Sequence, residues 1–315
     1  MKHIFILINW LCFYLSAAAQ TGSNTYALVV GISKYGKGIP SLQFANRDAK
    51  VFADFLQSKA GGSMPIENIR FLQDSAASSG ALYEALYWLT KVAKKNDLVY
   101  IYFSGHGDID NDLIHKNGYL LCYNSPPNEY INFALSVANL NDYANTLSAG
   151  NGANVVLITD ACHSDKIASA ENRGPLLAGL LGSETIKKEV RISSCAANEL
   201  SAENEEWGGG RGVFSFYLVN GLKGLADKSK DGLITLDEIR NFMSSSFATD
   251  AVLQNEQIKQ TPALKGDDNF VLARVDTFAA QSAASEIALV KTAMPIINAG
   301  VVFKETNNSP QDVFF

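Results

Sequence analysis

The chain has 315 residues, 47% hydrophobic and 18% charged, with a formal net charge of −6. That acidic balance argues against a nucleic-acid binder, for which a basic stripe is expected. After the first twenty residues no run approaches the roughly 18–20 apolar residues of a membrane-spanning helix, and the length suits one large domain or a domain with a tail.

Residues 1–19 read as an export signal: Lys2 and His3 start it, 4–15 is apolar, and Ala17-Ala18-Ala19 fits an A-x-A cleavage site. A buried first strand is the competing reading. Cys12 lies inside the apolar run and not just after a small-residue site, which argues against a lipid anchor. Removal of 1–19 takes away Lys2 and moves the net charge from −6 to −7. The mature protein is expected to be exported, periplasmic or secreted, with no membrane anchor.

Residues 26–32 are continuously apolar, which predicts a strand buried on both faces. Apolar positions 42, 44, 45, 49, 51, 52, 55 and 56 then predict a helix over 42–58. A strand follows at 68–72, a helix at 79–95 with a Lys-rich last turn, and a strand at 97–103. Residues 118–123 form a short hairpin strand, 140–147 a helix, and 154–159 another buried strand. Residues 165–188 read as a mobile surface segment. A strand at 189–194, a helix at 213–222 and a final strand at 269–273 complete the domain. Beyond 274 an Ala-rich helical stretch and a polar end make a C-terminal appendage of unknown role over 275–315. Strands alternating with helices imply an α/β fold, a mainly parallel sheet covered on both faces. Such sheets bind ligands beyond the carboxyl ends of their strands.

Two strings sit at those ends. Ser-Gly-His-Gly (104–107) follows the strand at 97–103, and Asp-Ala-Cys-His-Ser (160–164) follows the one at 154–159. Cysteine attacks as thiolate and needs a neighbouring base, which His106 supplies to Cys162. Gly105 and Gly107 let the backbone turn sharply beside His106. The backbone N–H groups of Gly107 and Cys162 are candidate oxyanion-hole donors. Either residue alone would read as a structural His or Cys; the two together read as a dyad. Ser104 and Ser164 have no better-placed base and read as loop and hydrogen-bonding residues.

With Arg-Gly-Val-Phe-Ser-Phe-Tyr (211–217) and Gln-Thr-Pro-Ala-Leu (260–264), these strings make residues 25–273 resemble the caspase-like cysteine peptidases, metacaspases and bacterial caspase homologues above all. The resemblance implies a three-layer sandwich around a mainly parallel six-stranded sheet, flanked by helices. It also implies catalysis by His106 and Cys162. Their 56-position spacing suits the caspase pattern. Where caspases carry Gln two before the nucleophile this chain has Asp160, and Asp165 follows Ser164. Metacaspases carry an acidic residue at the first position and a second in an early helix, where Asn46-Arg47-Asp48 is similar. By that resemblance Asp48 and Asp160 line a pocket for the residue before the cleaved bond (P1), predicting cleavage after Arg or Lys. Substrates are then proteins or peptides with basic residues, including the chain itself by autoprocessing within 165–188, where Arg173 has the most loop-like context.

Residues 227–238 match the 12-residue EF-hand loop. Asp227, Ser229, Asp231, Leu233 (through its carbonyl), Thr235 and Glu238 take the ligand positions, and Gly232 the invariant turn. Ser229, Thr235 and two interleaved lysines would weaken Ca²⁺ binding, and a metal-free turn is the competing reading. No cofactor is required by the dyad. Of the remaining cysteines, Cys122 and Cys195 read as buried thiols, with a disulfide as the alternative. The leading expectation is an exported cysteine endopeptidase. A catalytically idle caspase-like binding module and a Ca²⁺-dependent binding protein stay open beside it.

Overall fold

The structure, a computed structural model, describes residues 23–36, 38–110, 117–161, 188–196 and 199–293. Residues 1–19, expected to be an export signal, Cys162, Ser164, Asp165, Arg173 and the chain beyond 293 lie outside the described residues.

In chain order the described elements begin with β1 (Thr25–Gly31), α1 (Ala45–Gln57), β2 (Ile69–Gln73), α2 (Ser79–Val92) and β3 (Leu98–Ser104). Three short strands follow, β4 (Gly107–Asp110), β5 (Asn117–Leu121) and β6 (Ala134–Ser136), then α3 (Val137–Asn145). Next come β7 (Asn154–Asp160), β8 (Glu189–Ser193), the ribbon β9 (Glu203–Asn204) and β10 (Arg211–Gly212), and α4 (Val213–Asn220). The chain continues through β11 (Leu233–Thr235), α5 (Leu236–Thr249), α6 (Ala251–Asn255), β12 (Ala263–Lys265), β13 (Val271–Arg274) and α7 (Thr277–Ala293).

Six strands form the central sheet in the order β12-β8-β7-β3-β1-β2, all neighbours parallel except β12 against β8. The expected mainly parallel six-stranded sheet is therefore present. Its strands are apolar on both faces because both are covered. Ala27, Val29, Tyr100, Tyr102, Val156 and Ile158 pack with Phe52 of α1 and Phe214 and Phe216 of α4. The alternate residues Leu28, Val30, Val99, Ile101, Val155 and Leu157 pack with Leu82, Leu86 and Leu89 of α2 and Leu140 of α3. Three layers result. The expected hairpin is also formed, with β5 antiparallel to β4 and to β6.

Two local expectations are corrected. The final strand expected at 269–273 is present as β13, starting at Val271, and it pairs antiparallel with β11 and not with the central sheet. The sheet's edge is β12, laid beside β8 because Gln260 is anchored there: its Nε2 donates to the Ser194 carbonyl (2.9 Å) and its Oε1 accepts from Ala202 N–H (2.8 Å). The helix expected at 140–147 begins at Val137, since Ser136 caps it by accepting from Asn139 N–H (3.1 Å).

The Ala-rich stretch does form a helix, α7, which docks on residues Gly221–Leu225 at the end of α4. Ala283 and Val290 are buried and Lys223 pairs with Glu286 at 3.3 Å. A side chain on Gly224 (φ 130°) would bring its Cβ within 2.9 Å of the Ala280 Cβ, so the approach needs glycine.

Candidate active site

β3 and β7 end side by side. Ser104 is in register with Asp160 on one side and with Gly31 of β1 on the other. In a pleated sheet these three positions share one face, the face covered by α1. A Cβ on Gly31 would lie 2.4 Å from the Ala49 Cβ, so α1 rests directly on this strand end and brings Asp48 over the row. Gly105 N–H donates to the Asp160 carbonyl (3.0 Å), tying the two strand ends together.

His106 follows at the tip of β3, fully buried. Its Nε2 lies 2.9 Å from the Pro40 carbonyl oxygen. A carbonyl can only accept, so Nε2 carries a proton, and in the neutral imidazole the lone pair is at Nδ1. The His106 backbone N–H donates to the Tyr35 hydroxyl (2.6 Å), and the two rings tilt against each other at 5.0 Å between centroids. Burial, the largest influence, pushes the Tyr35 hydroxyl well above its ordinary range, so it stays protonated. Next in the chain, Gly107 opens β4, and Asp108 accepts from Ile109 N–H (2.7 Å) and the Tyr130 hydroxyl (2.6 Å). Cys162 lies two residues beyond Asp160, outside the described residues.

An added Cβ on Gly105 would come within 2.5 Å of the Tyr35 hydroxyl oxygen. Gly105→Ala is therefore expected to push Tyr35 off the His106 N–H and lower kcat between about ten- and a hundredfold, the scale of a misplaced catalytic group. KM should change little. Kinetics of Gly105→Ala/Tyr35→Phe check the cause: removing the hydroxyl should recover part of the loss, and no recovery would place the effect elsewhere.

The second cluster lies on the α1 face of the same strand ends. Asp48, 2% exposed, accepts from Arg211 Nε at Oδ1 (2.5 Å) and from Gly212 N–H at Oδ2 (2.9 Å). Arg211 also donates through Nη2 to Ser215 Oγ (2.8 Å). A Cβ on Gly212 would meet Asp48 Oδ2 at 3.0 Å and Asp160 Oδ2 at 3.2 Å, so the two carboxyl groups converge over this glycine. Burial pushes Asp48 up to about 6; the Arg211 guanidinium opposes this and the Asp160 charge adds to it. Asp160 is fully buried, and neither of its oxygens has a hydrogen-bond partner. Ser104, expected as a loop hydrogen-bonding residue, is instead the last residue of β3, with its hydroxyl buried and unpartnered.

The structure brings the carboxyl groups of Asp48 and Asp160 together over Gly212 and adds residues not assigned a role from sequence. Tyr35 and Pro40 hold His106, and Arg211 holds Asp48. A buried arginine needs an acidic partner, and that rule is the signal that singles out Arg211 within the 211–217 string.

The EF-like loop is closed by its own hydrogen bonds. Asp227 accepts from Lys230 N–H (2.6 Å) and Gly232 N–H (3.1 Å), and Asp231 from Leu233 N–H (2.8 Å). Glu238 accepts from Ser229 N–H (3.0 Å) and Thr235 N–H (3.1 Å), the latter within the capping box that starts α5. Among the described residues no group of three or more His, Cys, Asp or Glu side chains is arranged to hold a metal ion. In this arrangement the carboxylates of the loop are turned onto its own backbone N–H groups, and no chemical step is routed through the loop.

Cys122 is a buried free thiol, as expected, pushed up to about 12 by burial. Cys195 is not a free thiol: it is disulfide-bonded.

A family model described as the caspase domain matches residues 24–270. Metacaspase-1A of Aspergillus oryzae is 33% identical over 106 residues, covering 30% of this chain and 24% of that protein. The match thus spans about a quarter of that relative's length. Among solved structures, protein GSU0716 from Geobacter sulfurreducens aligns with a TM-score of 0.53 at 16% identity, over 80% of this chain and 97% of that one. That likeness is one of fold.

Proposed function

Since the chain belongs to the caspase domain family, we propose that it is an exported cysteine endopeptidase using His106 and Cys162 and cleaving after Arg or Lys. The observation that carries this reading is the placement at two adjacent strand ends: His106, just past β3, is held by Pro40 and Tyr35, and Asp160, with a buried and unpartnered carboxyl, ends the neighbouring β7.

In this mechanism Nδ1 of His106 takes the Cys162 thiol proton, and the thiolate attacks the carbonyl carbon of the scissile bond. The oxyanion is received by the Gly107 and Cys162 backbone N–H groups. His106 then protonates the leaving amine as the C–N bond breaks. Water, deprotonated by the same imidazole, attacks the thioester, the C–S bond breaks and the thiol is regenerated. Two carboxyl groups near the dyad favour a guanidinium or ammonium at P1 and reject an acidic side chain. The same preference makes the basic residues of 165–188 (Lys166, Arg173, Lys187 and Lys188) candidate points of self-cleavage, Arg173 having the most loop-like context.

The test is a P1-scanning peptide panel on the protein lacking 1–19, run with a thiol reductant because a cysteine nucleophile acts as its thiolate. Turnover is expected only after Arg and Lys, and is lost in Cys162→Ala. Turnover only after Asp would overturn the specificity, and activity retained in Cys162→Ala the nucleophile. Because Ser229, Thr235 and two interleaved lysines weaken the 227–238 loop as a Ca²⁺ site and the dyad needs no cofactor, adding a chelator or Ca²⁺ is expected to leave both rate and melting temperature unchanged. A shift in either would show that the loop rearranges around the ion.

A further inference from the structure

The two carboxyl groups over Gly212 are not equivalent. Asp48 has both oxygens engaged, by Arg211 and by Gly212 N–H. Asp160 has neither engaged, although it is no less buried, and the Ser104 hydroxyl in register with it is unpartnered too. Burying a carboxylate without partners is costly, so a cationic hydrogen-bond donor suits Asp160. The one guanidinium beside the two acidic side chains is already committed to Asp48, so it offsets only one of them.

We propose that Arg211 is the resident counter-ion of Asp48 and thereby sets the pocket's charge, leaving Asp160, with Ser104 beside it, to hold the guanidinium or ammonium of a basic side chain. The proposal rests on the basic specificity above and divides its labour. Asp160 touches the ligand. Asp48 acts through Arg211, as a positioning residue that keeps this guanidinium away from Asp160.

The division has an uncommon consequence. Neutralising Asp48 alone releases Arg211 beside Asp160, cancels the pocket's charge and abolishes cation binding. Neutralising Arg211 as well restores one negative charge and therefore restores binding. If Asp48 were itself a ligand, the double variant would be no better than the single one.

The experiment is calorimetry of the full chain with acetyl-arginine amide, against the neutral isostere acetyl-citrulline amide. The ratio of the two affinities isolates the charge. In the wild type the arginine form should bind at least about tenfold tighter, as expected of a charge-assisted hydrogen bond to a buried group. Asp160→Asn and Asp48→Asn should each bring the ratio near one, and Asp48→Asn/Arg211→Met should return it to at least half the wild-type value. If that variant melts early, Asp48→Asn/Arg211→Gln keeps donors toward residue 48 and Ser215 and takes its place. A folded double variant that does not discriminate overturns the proposal, as does a wild type that binds both amides alike. Catalysis is not required: a protein that discriminates but never cleaves would sink the peptidase reading and leave this one standing.

Discussion

Replacing His106 with alanine is expected to lower turnover of an arginine-containing peptide about 10²- to 10⁴-fold, the range contributed by a positioned general base. The imidazole is fixed from two directions, by the Pro40 carbonyl at Nε2 and by Tyr35 at the backbone N–H and ring face. That fixing presents Nδ1 as base without a search among rotamers, which is why the loss should fall on kcat more than on KM. The substitution also leaves the Pro40 carbonyl without this donor, a stability cost of about 1 kcal/mol. The fold should therefore survive, and a melting curve separates lost chemistry from lost structure. The double variant with Cys162→Ala should be no worse than either single one, because residues acting as a unit are not additive. A folded His106→Ala protein keeping more than a tenth of wild-type activity would place the base elsewhere.

Asp250→Ala is expected to have the largest effect on stability, about 4 kcal/mol, from one lost helix cap and two orphaned buried donors. Asp250, 3% exposed, accepts from Trp207 Nε1 (2.9 Å) and the Tyr217 hydroxyl (2.7 Å) at Oδ2, and from Leu253 N–H (2.9 Å) at Oδ1 as the cap of α6. For a domain of this size the melting temperature should fall by about 10 °C. The effect should reach the pocket as well. Trp207 is fully buried and anchors the turn through Gly208, Gly209 and Gly210, all at positive φ, which delivers Arg211 to Asp48. Arg47, next to Asp48 on α1, holds the same turn by donating to the Gly208 and Gly209 carbonyls. The affinity ratio between arginine and citrulline amides should therefore fall in Asp250→Ala before the protein melts. Asp250→Asn, which keeps a carbonyl acceptor, should lose less on both counts. An unchanged melting temperature in Asp250→Ala would mean that the Trp207 and Tyr217 donors find other acceptors.

Where the sequence is explicit, it is so for a physical reason. β1, β3 and β7 are covered on both faces, so their burial is written as unbroken apolar runs, and their tips are readable to within a residue or two. Short antiparallel strands carry no such mark. The stretch 269–273 is as apolar as a sheet strand, yet Val271–Arg274 pairs with β11, and the less apolar Ala263–Lys265 takes the edge of the central sheet. Edge position depends on what Gln260 grips on the Ser194–Ala202 segment, some sixty positions away in the chain. The EF-like loop shows the opposite limit. Its spacing is right, yet folded it turns its carboxylates onto its own backbone N–H groups.

The sequence by itself determined the layered α/β sheet, the His106 strand tip and the acidic character of positions 48 and 160. All of these follow from periodicity and composition over a few neighbouring residues. Only the tertiary structure decided that Arg211 neutralises Asp48 across 163 positions while Asp160, equally buried, keeps both oxygens unpaired. Hydrophobic pattern is local, but the cost of a buried charge is set by what the whole fold brings against it.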